Sequence, residues 1–143
     1  MPTSLVEPTT QDYERLLSFR TGLRRFLRWS EERAAEAGLT PAQHQLMLAI
    51  RGHADERGPT IGEAADYLLL KHHSAVELID RAAAGGLVER VRDDEDHRIV
   101  RLRLSVKGAA KLEKLAAATL AELARLGPSL RGVWRGLEPT GSH

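Results

Sequence analysis

The chain has 143 residues, with 21 Lys/Arg against 20 Asp/Glu, a formal net charge of +1, no cysteine and only 4% aromatic residues. That length suits one domain whose core is built mainly from Leu, Val, Ile and Ala. Disulfides and thiolate metal sites are excluded, the near-neutral charge argues against a general polyanion binder, and no apolar run reaches the roughly 18–20 residues of a membrane span. Met1 to Thr10 lacks the apolar stretch of a signal peptide, so a cytoplasmic location is expected.

From Gln11 to Ala37, Leu16, Phe19, Leu23, Phe26 and Ser30 recur at spacings of three and four, with Leu17 and Leu27 flanking them. This pattern predicts a long amphipathic helix, ended by Gly38. Thr40-Pro41-Ala42-Gln43 combines a capping threonine, a proline at the first helical position and a glutamine that closes a capping box. A second helix is therefore predicted to about His53, with Leu46, Met47, Ala49 and Ile50 inward. After a turn at Arg57-Gly58-Pro59, Thr60-Ile61-Gly62-Glu63 is a second capping box. It opens a short helix that buries Ile61, Ala64, Ala65 and Leu68. The next helix runs from about His73 to Ala84, with Ala75, Leu78, Ile79 and Ala82 on one face, and Gly85-Gly86 stops it.

A hairpin follows: one strand from Leu87 to Arg92, an acidic turn, and a return strand from Arg98 to Leu104. Val100, Leu102 and Leu104 alternate with Arg101 and Arg103, the period of a half-buried strand with one face to water. Ser105 caps a long helix to about Leu126, in which Leu112, Leu115, Ala116, Thr119, Leu123 and Leu126 recur in threes and fours. Gly127-Pro128 is expected to break it, leaving Leu130, Val133, Trp134 and Leu137 to stripe a last short helix. The fold class is thus mainly α with a small β-hairpin wing: a winged helix-turn-helix with long N- and C-terminal helices. The long seams exceed what a small winged core can cover, and a second copy on a two-fold axis is the economical partner.

The segment Leu39 to Gly108 resembles the MarR (multiple antibiotic resistance regulator) family of winged-helix transcription factors. Several motifs stand in that family's order: Leu39-Thr-Pro-x-Gln43, the Thr60 to Leu68 helix, Ser74 to Arg81, Gly86-Leu87-Val88-Glu89-Arg90, the wing Asp93-x-x-Asp96-x-Arg98, and Leu104-Ser-Val-Lys-Gly108. Three positions depart from the family pattern. His97 stands where arginine is common, Ala82 where a large leucine is preferred, and Asp94-Glu95 makes the wing less basic. The resemblance implies a single domain over residues 1–143. Its winged-helix DNA-binding lobe would span about 39–108, and its dimerisation helices about 11–37 and 109–137. The implied function is sequence-specific binding of a pseudo-palindromic DNA duplex by a homodimer, acting as a ligand-responsive repressor.

On that expectation the helix beginning near His73 lies in the major groove. Lys71, His72, His73 and Ser74 suit phosphate or base contacts, Val76 a thymine methyl, Glu77 a cytosine amine, and Arg81 lies on the same outer face. For Glu77 and Asp80 an ordinary solvated helix face is an equal alternative. In the wing, Arg98 is the candidate for the minor groove with His97 beside it, and the resemblance implies that Asp96 holds the Arg98 guanidinium in a fork. Asp93, Asp94 and Glu95 are expected to point away from phosphate or to pair with nearby arginines.

For a small effector the candidates are Trp29, which lies off the main seam, with Arg24, Arg28 and His44. Packing against another helix is the commoner explanation for Trp29. The six histidines include no pair at i, i+4, so no metal ligands are assigned, and no cofactor is expected. No nucleophile elbow, phosphate loop or paired catalytic carboxylates are present, and the chain does not read as an enzyme. Two alternatives remain open: a winged-helix dimer whose acidic wing binds a protein instead of DNA, and, more remotely, a metal-responsive regulator. The acid run Asp93 to Asp96 favours the first of these, and Arg98 with His72-His73-Ser74 opposes it. Between Lys71 and Arg103 seven basic side chains meet seven acidic ones, so modest non-specific DNA affinity is expected.

Overall fold

The computed structural model describes residues 6–137. The order is α1 (Thr10–Glu36), α2 (Pro41–Gly52), α3 (Ile61–Leu68), α4 (His72–Ala84), β1 (Val88–Arg92), β2 (Val100–Leu104) and α5 (Val106–Leu137). Two compact units divide the chain: Glu31–Ala118, and the described parts of Met1–Ser30 and Thr119–His143. Both long helices run through the division. No described helix is long and apolar enough to cross a membrane.

The Glu31–Ala118 unit holds the core. Ala34, Leu39, Leu46, Met47, Ile50, Ala64, Ile79, Ala82, Leu87, Val88, Leu102, Leu112 and Leu115 form one buried cluster. α2, α3, α4 and α5 contribute residues of the faces their spacing predicts, whereas α1 contributes Ala34, beyond its Leu16–Phe26 seam. Burying a Val, Leu, Ile or Met side chain stabilises by about 1.5–3 kcal/mol, so the larger aliphatic members of this cluster substitute for the missing aromatics. Both capping boxes form. Thr40 Oγ1 accepts from the Gln43 amide while Gln43 Oε1 accepts from the Thr40 amide, each at 3.1 Å. Thr60 and Glu63 repeat the arrangement at 3.0 and 3.1 Å. These reciprocal bonds satisfy amides that have no partner inside the helix, and they fix where α2 and α3 begin.

β1 and β2 pair antiparallel, from Val88 opposite Leu104 to Arg92 opposite Val100. β2 begins at Val100 and not at the expected Arg98, because Asp93 to Ile99 folds into its own hydrogen-bonded loop, while β1 ends at Arg92 as expected and starts one residue later, at Val88. At the other end, Ser105 ties the hairpin to α5. Its hydroxyl donates to the Gly86 carbonyl at 2.5 Å and accepts from the Gly108 amide at 2.9 Å. Gly108 has no side chain because a Cβ would stand 2.1 Å from the Leu87 carbonyl oxygen.

The expected break at Gly127-Pro128 does not occur, and α5 is continuous with Pro128 inside it. Proline's fixed φ is helical. What it removes is one amide donor, and what it adds is a clash with the carbonyl four residues back, which a long helix absorbs as a local bend. The side chains of Leu130, Val133, Trp134 and Leu137, read as a separate stripe, lie outside the described residues.

Candidate nucleic-acid interface

α4 begins at His72, with Lys71 as its extended N-cap and no side-chain bond capping it. Lys71, His72 and His73 are all exposed, as are Glu77 and Arg81, while Ser74 and Val76 are half-buried at the edge of the packed face. The opposite face is fixed by Ala75, Ile79 and Ala82. Asp80 is ion-paired with Arg90 of β1, which fastens the exposed flank of α4 to the hairpin. The result is a rigid helix whose first turn presents a cation, two imidazoles and open backbone amides, an arrangement suited to phosphate.

The wing loop is knitted by two carboxylates. Asp96 Oδ1 accepts from the Arg98 amide at 3.1 Å and from Arg98 Nε at 3.0 Å, and Oδ2 accepts from Nη2 at 2.9 Å. The fork expected of this pair is present. Arg98 nevertheless keeps a side chain that is 90% exposed, so its free edge faces outward. Each partner supports the charge of the other: Arg98 lowers the Asp96 pKa, and Asp96 raises that of Arg98. His97 is exposed beside it, and its carbonyl accepts from Arg92 Nη1 at 2.9 Å.

Asp93 is the second carboxylate, and it is buried. Its Oδ2 accepts the amides of Glu95 at 3.2 Å and Asp96 at 3.0 Å, while Oδ1 accepts from Arg101 Nε at 2.8 Å. Arg57 Nη1 also donates to Oδ1, at 3.5 Å. The expectation that this acid pairs with nearby arginines holds. Arg101, however, does not face water as the alternation predicts, because its side chain is only 12% exposed. The loop before α3 covers that face: Arg101 Nη1 donates to the Gly58 carbonyl at 3.0 Å, and Thr60 bridges Arg101 across the edge of β2. A period-two pattern assigns sides of a strand, and it cannot say what covers each side.

The Arg101 guanidinium, donating directly to the carboxylate, is the first cause of a lowered Asp93 pKa, and the amides of Asp96 and Glu95 add to it. A depressed folded-state value means stability that is present above the ordinary carboxylate range and is lost as pH falls through the folded value. Asp93→Asn should therefore flatten the decline in denaturation midpoint below roughly pH 4 while lowering stability at neutral pH. Urea titrations from pH 7 to 2.5 check this, and parallel curves for parent and variant would refute it.

The proposed effector residues fall in different places. His44 is buried in α2, and burial lowers its pKa, which favours the neutral ring. Trp29 stacks on Phe26 with ring centroids 6.2 Å apart. It lines a cavity of about 670 Å³, together with Phe19, Phe26 and Leu126. The cations lining that cavity are Arg25 and Arg125, not Arg24 or Arg28. Arg125 is already bonded to Glu122. Among the described residues, no three His, Asp or Glu side chains gather as a metal site.

Residues 37–99, which run from the end of α1 through the wing loop, match the MarR family. This stretch of the chain is similar to the MarR family. A MarR family protein from Bacillus stearothermophilus has the same fold, with a TM-score of 0.71 and 28% identity over 86% of this chain and 82% of that one. The chain is also similar to the HTH-type transcriptional repressor MdtR of Bacillus subtilis, 27% identical over 94 residues. That match takes in 66% of this chain and spans 59% of the relative's length. A mutant MarR from E. coli, solved in complex with operator DNA, shares the fold at a TM-score of 0.62 and 22% identity, over 85% of this chain and 91% of that one. The family match covers the whole of α2, α3, α4 and β1 together with Asp96 and Arg98.

Proposed function

We propose that this chain is a MarR-family protein, a sequence-specific DNA-binding transcription regulator that acts as a homodimer in the cytoplasm. In this reading α4 enters the major groove, and Arg98 enters the adjacent minor groove. The observation that carries it is the Asp96-braced, outward-facing Arg98 at the tip of a hairpin that follows an α4 with an exposed, basic first turn. The operator complex of the E. coli relative supports it, and the repressor description of the Bacillus subtilis relative supports the sign of the regulation. Duplexes selected from a random library by the purified protein test the reading. Affinity should fall steeply with salt, and a preferred pseudo-palindrome should emerge. Equal binding to all duplexes, or none, would overturn it.

The dimer is supported by the Met1–Ser30 and Thr119–His143 unit, where Leu16, Leu17, Leu23, Leu27, Leu120 and Leu123 are all exposed. A seam of this kind on a folded helix points to a partner surface. Leu16→Glu/Leu23→Glu should convert the dimer to monomer in sedimentation runs at micromolar concentration. An unchanged sedimentation coefficient would place the interface elsewhere. The cavity beside Trp29 supports a small effector whose binding favours one arrangement of the dimer, a coupling of about 1–3 kcal/mol. The protein-binding alternative rested on the acid run. Asp93 and Asp96 are occupied by Arg101 and Arg98, while Asp94 and Glu95 stay exposed, Glu95 with Arg57 3.8 Å away, so about half of the run remains as acidic surface for such a partner.

A further inference from the structure

We infer that Arg101 is the residue that aims the wing: it locks the loop carrying Arg98 to the connection between α2 and α3. The inference rests on the DNA-binding reading and deepens it. Arg101 lies back along β2 from the groove-facing tip, yet a continuous hydrogen-bond path joins them. Its Nη1 donates to the Gly58 carbonyl at 3.0 Å, and its Nε donates to Asp93 Oδ1 at 2.8 Å. The other oxygen of the same carboxylate accepts the Asp96 amide at 3.0 Å, and the Asp96 side chain holds Arg98 at 2.9 and 3.0 Å.

Each link has few alternatives. Asp93 is buried with its side chain only 4% exposed, so water cannot replace Arg101 freely. Arg57 Nη1 also reaches Asp93 Oδ1, but at 3.5 Å against 2.8 Å for Arg101, and the Nε and Nη2 of Arg57 are held by Asp55 at 2.8, 3.1 and 3.2 Å. The fixed end is equally defined. Gly58 donates its amide to the Asp55 carbonyl at 3.0 Å, and the neighbouring Pro59 carbonyl accepts the Leu102 amide at 2.9 Å. A planar guanidinium can donate along two edges at once, to the carboxylate of the loop and to the carbonyl of the helix connection. This is why an arginine serves here and a lysine would not. The loop direction is thereby set by the lobe that also positions α4. Arg101 is a positioning residue and need not touch DNA.

The test is a double-mutant cycle with Arg98. On the selected duplex, Arg101→Leu should weaken binding at least about tenfold in the parent and by less than about twofold in the Arg98→Ala background, because there is then no guanidinium left to aim. Equal losses in both backgrounds would overturn the inference, as would no loss in the parent. If Arg101→Leu does not fold, Arg101→Gln takes its place in the same cycle, keeping a donor for Gly58 and dropping the charge. A DNA-free measurement separates this inference from the functional reading. In the isolated protein, the Arg98 Nε–H signal should be protected from exchange and should lose that protection in the Arg101 variant. Unchanged protection would refute the path even if the protein binds DNA, and lost protection would uphold the path even if it does not.

Discussion

Arg98→Ala should abolish tight, specific DNA binding while leaving the protein folded. The side chain is 90% exposed, and its only described partner beyond its own backbone region is Asp96, so its removal leaves no cavity. An arginine that reads a groove contributes roughly 1–3 kcal/mol, and a homodimer places two wings on one duplex. The expected loss is therefore about 2–6 kcal/mol, from tens-fold to more than a thousandfold. Asp96→Ala should approach that effect. It keeps the cation but frees it to sample many rotamers, so most of the preorganisation is lost. Lys71→Ala is the contrasting substitution. Taking one phosphate-binding cation from each N-cap should weaken binding to all sequences alike and reduce the salt slope, with little change in preference. Fluorescence anisotropy on the selected duplex at three salt concentrations distinguishes these patterns. Parent-like binding by both Arg98→Ala and Asp96→Ala would remove the wing from the interface.

Most of the fold is legible in the chain because each boundary carries local chemistry. Thr40 with Gln43 and Thr60 with Glu63 mark two helix starts as sharply in the sequence as in the structure. Ala75, Ile79 and Ala82 declare the inward face of α4, which leaves Lys71, His72 and His73 outward by elimination. Arg98 and Asp96 are also legible, since they stand two residues apart and the bond between them is local. What the sequence hides are partnerships across long separations. Arg57 and Asp93 stand 36 residues apart, and Arg101 and Gly58 stand 43 apart, so no periodicity links them. Arg101 looks like Arg103 in the strand pattern, yet Arg103 is exposed and Arg101 is covered. Pro128 fails in the opposite direction: a strong local signal for a break is overridden in a long helix that loses only one backbone bond there. His44 shows the same limit, because nothing in the local pattern says that this polar side chain is buried in α2.

Gly58→Ala should destabilise the Glu31–Ala118 unit by about 4 kcal/mol or more, a size reached only when backbone must move. Gly58 has φ of +90°, which disfavours any side chain, and an added Cβ would lie 2.0 Å from the Leu102 carbonyl oxygen. Relief would need the α2–α3 connection and β2 to separate. Hydrogen bonds hold them together: Pro59 accepts the Leu102 amide at 2.9 Å, Arg101 donates to the Gly58 carbonyl at 3.0 Å, and Thr60 bridges Arg101. Leu102 itself is fully buried, so β2 cannot retreat without opening the core. Gly86→Ala calibrates the strain alone. Its φ is +73°, and nothing lies within 4 Å of its Cβ position. It should cost only about 1–2 kcal/mol, partly offset by the stiffer unfolded chain. Guanidinium denaturation of the three proteins at one concentration, followed by far-ultraviolet circular dichroism, gives the comparison. Equal midpoints for Gly58→Ala and Gly86→Ala would show that the close approach of this loop to β2 is not maintained in solution, and the anchor for Arg101 would fall with it.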